Sequence, residues 1–256
     1  MTADTLEGAW QAARARWSSA IELKTPKAVT DGQAIAYINL TERQTFVDRA
    51  RLDQLGIGHC LEALLAHEVG HHIRYPHTLI RARQHTRFLR SELTELARLW
   101  DCPALAEAAT QGRCDFVLNL LYDLLINTDL RPWYEAQFIT LYKKLAGRGR
   151  DPVFAFYLAL YEALWYLPDG ALVTRAMAES LDKCDPNWRG AAAACAQFIA
   201  NRPDNRPLQL VRLLIALRPF LVASALDAAA KASPEGNGGF GGELAPEDVA
   251  RVLREC

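Results

Sequence analysis

One stretch of this chain constrains the fold more than any other. Leu61, Leu64, Leu65 and Val69 recur at helical spacing, so residues 61 to about 74 read as a helix. Pro76 ends it one or two residues earlier. The helix is largely apolar, which buries it, yet it carries His67, Glu68 and His71. Polar groups are costly to bury unpaired, so such a helix needs something for them to bind. Two histidines four apart share one helix face, about 6 Å apart along the axis, and both imidazoles can reach one metal ion. The string His67-Glu68-Val69-Gly70-His71 is of the form H-E-x-x-H, in which the glutamate is placed to take a proton from a metal-held water.

Such a site needs a third protein ligand. Asp115, Asn119, Asp123 and Asn127 are spaced by four within the apolar run Phe116–Ile126, so they form a polar stripe on a greasy helix. A solvated face usually carries Lys, Glu or Arg, which form helices better than Asn and Asp do. The stripe therefore reads as inward-facing. Asp123 at its centre is a candidate ligand, with Asn119 and Asn127 holding the ligands in place. His77 is the alternative, because His67 to His77 matches the spacing H-E-x-x-H-x-x-G-x-x-H. That pattern turns the chain at a glycine, where this chain has Arg74, and Pro76 adds a different stop. Arg74 and Pro76 count against that turn, which favours Asp123 and leaves His77 as the second candidate.

The pair His67-Glu68-Val69-Gly70-His71-His72 and Asn119-Leu-Leu-Tyr-Asp123-Leu-Leu-Ile-Asn127 resembles a family of zincin-like bacterial metallopeptidases found alongside MoxR-type AAA+ ATPases and von Willebrand A proteins. Its motif has the form H-E-x-G-H-H followed by N-x-x-x-D-x-x-I-N. The likeness covers about residues 30 to 131. It implies Zn2+ on His67, His71 and Asp123, Glu68 as catalytic base, and an AAA+ ATPase or von Willebrand A protein as partner.

Composition narrows the rest. Lys and Arg number 29 against 30 Asp and Glu, with no basic stripe, so no nucleic-acid partner is expected. Six scattered cysteines form no C-x-x-C pair, which fits a reducing cytoplasm better than a disulfide framework or a zinc ribbon. The N-terminus lacks the basic and apolar regions of a signal peptide, and no run approaches a membrane span. Arg74, His77, Arg81, Arg83, His85, Arg87 and Arg90 read as a solvated basic face. Tyr122, Tyr134, Tyr157 and Arg131 are candidate donors to a developing oxyanion, with nothing to choose among them.

The spacing predicts a helix over 4–22, a loop over 24–33, strands over 34–40 and 45–52, and helices from 86 onward. Those helices are expected at 86–101, 103–111, 113–130, 132–146, 152–167, 169–183, 187–201 and 207–232, punctuated by Pro and Gly. Residues 233–242 read as a flexible linker, and a short helix starts near Ala245. The expected fold class is α+β, mainly α. It comprises a zincin-like domain over 1–150, with its core near 30–131 and a small N-terminal sheet, a helical bundle over 151–232 and a tail over 233–256. The expected function is zinc-dependent hydrolysis of a peptide or protein substrate in the cytoplasm. The rival is a non-catalytic, zinc-stabilised interaction module in an ATPase-associated system.

Overall fold

The computed structural model describes residues 5–17, 22–30, 35–103, 105–106, 113–146, 151–202 and 204–231. Among them the chain is mostly helical with one small sheet, the α+β, mainly α class expected. The Asp31-Gly32 turn, the 147–149 break, the linker and the helix near Ala245 lie outside the described residues. The chain falls into two compact units, one drawn from Met1–Ile73 and the other from Arg74–Pro234.

The first unit holds α1 (Leu6–Ala15), β1 (Lys24–Ala28), β2 (Ala36–Asn39), β3 (Gln44–Val47), α2 (Arg49–Gln54) and α3 (Leu61–Ile73). Thr5 caps α1, its hydroxyl accepting from the Gly8 amide at 3.1 Å. The sheet order is β1-β3-β2, with β2 antiparallel and β1 parallel to β3. Edge strand β2 packs on α3, as does α1 through the buried Ala9, Trp10 and Ala13. Two expectations are corrected here. Residues 24–28 form a strand rather than a loop; Pro26 is tolerated because β1 is an edge, with an irregular register between Lys24 and Lys27. The strand expected over 45–52 stops at Val47, because the Asp48 carboxylate accepts from the Arg51 amide at 2.9 Å and starts α2.

The second unit is helical: α4 (Leu79–Leu99), α5 (Arg113–Ala146), α6 (Pro152–Trp165), α7 (Arg175–Cys184), α8 (Trp188–Asn201) and α9 (Arg206–Lys231). The largely apolar α6 is the core, packed by α5, α7, α8 and α9. α4 begins seven residues before the expected start, since Thr78 caps it through the Arg81 amide at 3.2 Å. The expected break at Pro132 is a kink instead: Tyr134 has φ −131° and ψ 16°, and the helix resumes beyond it. α7 starts at Arg175 rather than 169, because residues 167–173 are held as a strap. Arg206–Ala225 in α9 has the length and apolarity of a membrane span, which the sequence reading did not anticipate; 56% of it is buried inside the protein, as in a core helix.

Candidate metal centre

α3 carries the first part of the site. It is buried from Ala63 to His71, and His67, Glu68 and His71 are 3%, 1% and 6% exposed. The helix is clipped from the side just before His67. The Trp17 indole donates to the Ala66 carbonyl at 2.7 Å, and Arg16 pairs with Glu62 at 3.2 Å. The four-residue spacing brings His67 Nε2 within 3.1 Å of His71 Nε2, with the rings at 88° to one another. If both nitrogens present lone pairs they repel at that distance; a shared cation turns the repulsion into two bonds.

The third member of the group comes from α5. The stripe Asp115, Asn119, Asp123, Asn127 dips from solvent into the core: Asp115 is exposed, Asn119 half-buried, Asp123 3% and Asn127 2% exposed. The ligand atoms of His67, His71 and Asp123 all lie within 4.8 Å of one another. This buried group can hold a metal ion. Two Zn–N bonds of about 2.0–2.1 Å opened to the tetrahedral angle separate their nitrogens by roughly 3.3 Å, close to the spacing the two imidazoles already have. Two imidazoles and one carboxylate suit zinc and neighbouring divalent metals alike. The Asn119 amide donates to Asp123 Oδ2 at 3.2 Å and so orients that carboxylate. Asn127 turns elsewhere: its amide donates to the hydroxyls of Tyr142 at 2.7 Å and Tyr161 at 2.9 Å.

His77, the alternative ligand, is exposed, sits at φ +72° and does not belong to the gathered group. The candidate oxyanion donors are variously occupied. Tyr122 is hydrogen-bonded to His85 Nδ1 at 2.6 Å, Tyr134 packs edge-on against Phe138, and Arg131 pairs with Glu135 and lies over the Trp165 ring. Burial pushes the Tyr122 hydroxyl well above the usual phenol range, so it stays protonated beside the imidazole. Burial, with lesser contributions from Arg206 and Arg81, also holds His85 below the usual imidazole value.

Tyr157 belongs to a cluster that sequence reasoning missed. The hydroxyls of Tyr142, Tyr157 and Tyr161 meet one another at 2.7, 2.9 and 3.3 Å in the core. Burial raises all three phenols, and the negative charge of Asp123 adds to the shift. The signal available was Tyr157 and Tyr161 at helical spacing inside an otherwise apolar helix, where two hydroxyls need partners.

Compared with known proteins, the chain matches no protein-family model, no curated protein and no solved structure.

Proposed function

We propose that this protein is a zinc-dependent peptidase with a zincin-like core. The observation that carries the reading is the gathering of His67, His71 and Asp123, from two distant parts of the chain, around a helix that also buries Glu68. Bound there, zinc would acidify a water and polarise the scissile carbonyl. Glu68, next to a ligand on α3, accepts the proton of the attacking water and returns it to the leaving amine. Edge strand β2 lies against α3 and offers main-chain hydrogen-bonding groups to an extended peptide. The zincin core, the cytoplasmic setting and an AAA+ ATPase or von Willebrand A partner enter this proposal through the resemblance of the two motifs.

The test combines metal content with turnover. Elemental mass spectrometry of purified wild type should give one zinc per chain, retained in Glu68→Gln and His77→Ala and lost in Asp123→Ala. Glu68→Gln should cut cleavage of a quenched-fluorescent peptide library by about 10²–10⁴-fold, the usual contribution of a positioned base. Undiminished cleavage by that variant refutes the role of Glu68. Zinc whose removal unfolds the protein, together with no cleavage in any form, supports the interaction module instead.

A further inference from the structure

The cluster below Asp123 is costly for a hydrophobic core. Tyr142, Tyr157 and Tyr161 are each 2% exposed or less, as is Asn127 at 2%. Three phenylalanines would fill nearly the same volume with no hydroxyl to desolvate. The hydroxyls are instead tied into a ring. Tyr142 donates to Tyr161 at 2.7 Å, Tyr161 and Tyr157 are 2.9 Å apart, and Tyr157 and Tyr142 are 3.3 Å apart. Because the Tyr142 hydrogen goes to Tyr161, the other two run the same way round: Tyr161 to Tyr157, and Tyr157 to Tyr142. The Asn127 amide adds a hydrogen bond each to Tyr142 and Tyr161. Such oriented networks polarise along their length and resist rearrangement.

The place of the ring gives it a purpose. Asn127 stands one helical turn after Asp123 on α5, and Asn119, bonded to Asp123, stands one turn before. The carboxylate is therefore bracketed along its own helix, directly on one side and through an anchored turn on the other. Asp123 also acts electrostatically on all three phenols, which puts the hydroxyls within its field.

We infer that the Asn127–Tyr142–Tyr157–Tyr161 ring is a positioning assembly for the metal ligand Asp123: it fixes the inner turn of α5 and sets oriented hydroxyl dipoles within the field of the carboxylate, so that the site is formed before the ion arrives. This rests on the metal reading of His67, His71 and Asp123. Removing a hydroxyl from the ring weakens metal binding without removing a ligand, because the turn and the carboxylate must then be ordered by the ion itself.

The test is zinc affinity, measured by competition with a chromophoric chelator. Tyr161→Phe should bind zinc about 10–100-fold more weakly than wild type, the usual effect of losing a ligand's support. Tyr157→Phe, which breaks two contacts of the ring rather than three, should lose less. Phe156→Leu, in the same helix and stacked on Phe220 at 4.5 Å, serves as control. It should lower the melting temperature and leave zinc affinity unchanged. Should Tyr161→Phe fail to fold, the visible absorption of Co2+-loaded Tyr157→Phe decides. Bands displaced from wild type support the ring's hold on Asp123, and superposable spectra overturn it. Wild-type zinc affinity in both folded tyrosine variants reduces the ring to packing while the metal site stands. A wild type that binds neither Zn2+ nor Co2+ removes the metal reading and this inference with it.

Discussion

Glu162 offers a sharp test of how the helical unit is held together. Its carboxylate Oε1 accepts from two consecutive backbone amides, Leu172 at 2.6 Å and Val173 at 2.8 Å, and it is 8% exposed. One side chain of α6 thus satisfies the strap that leads into α7. Glu162→Leu leaves two buried N–H groups without an acceptor, at about 1–3 kcal/mol each. An apolar side chain that fits returns roughly 1.5–3 kcal/mol of that. The expected net loss is about 0.5–3 kcal/mol, centred near 2, a sizeable share of the ~5–15 kcal/mol that holds a typical domain. Glu162→Gln keeps an oxygen for both amides and gives up only the charge, so it should lose less than the Leu variant, about 1 kcal/mol or under. Urea unfolding followed by circular dichroism measures both, and the midpoint should fall in the order wild type, Gln, Leu. Amide hydrogen exchange at Leu172 and Val173 should accelerate in the Leu variant before global unfolding. A Leu variant within 0.5 kcal/mol of wild type, on the order of an ordinary surface change, would refute the reasoning. So would a Gln variant as damaged as the Leu variant.

Other consequences can be checked as directly. Tyr142, Tyr157 and Tyr161 have phenol pKa values raised by burial, so their contribution to stability is whole below the unfolded-state value near 10 and is lost as pH rises above it. Each should remove about 1.4 kcal/mol per pH unit there, and phenolate absorbance at 295 nm should rise together with unfolding, not before it. Tyr166 ends α6 in the left-handed region at φ +54° and is 90% exposed, so Tyr166→Gly should stabilise the protein by about 0.5–1 kcal/mol in thermal denaturation. Asn119→Ala removes a side chain that donates to Asp123 Oδ2, and should weaken zinc binding about 10-fold or more in the chelator assay; an unchanged constant would show the bond to be incidental.

The sequence carried the site further than it carried the fold around it. The grouping of His67 with His71 was legible because four-residue spacing fixes a helix face whatever the tertiary context, and Asp123 because Asp and Asn are out of place on a greasy helix. The choice between Asp123 and His77 needed coordinates, since nothing local says which distant segment returns to the histidines. β1 was missed because Lys24-Thr25-Pro26-Lys27 reads as a turn; its strand character comes from pairing with β3 and from the buried Pro26. The early start of α4 was missed because its cap is one threonine ahead of a charged run with no apolar periodicity to mark it. Of the hydroxyl ring, the sequence carries only the helical spacing of Tyr157 and Tyr161: three tyrosines and an asparagine from two helices meet only once α5 and α6 pack.

Trp17 has an optical consequence. Its indole N–H is bonded to the carbonyl of Ala66, the residue before His67, so an intrinsic fluorophore is tethered one residue from a candidate metal ligand. A paramagnetic ion such as Cu2+ or Co2+ held by His67 and His71 should quench its emission, while diamagnetic Zn2+ should not. The chain has six tryptophans, so the difference between wild type and Trp17→Phe isolates that one signal. Occupancy of the site could then be followed in real time by ion exchange, with no substrate and no attached dye.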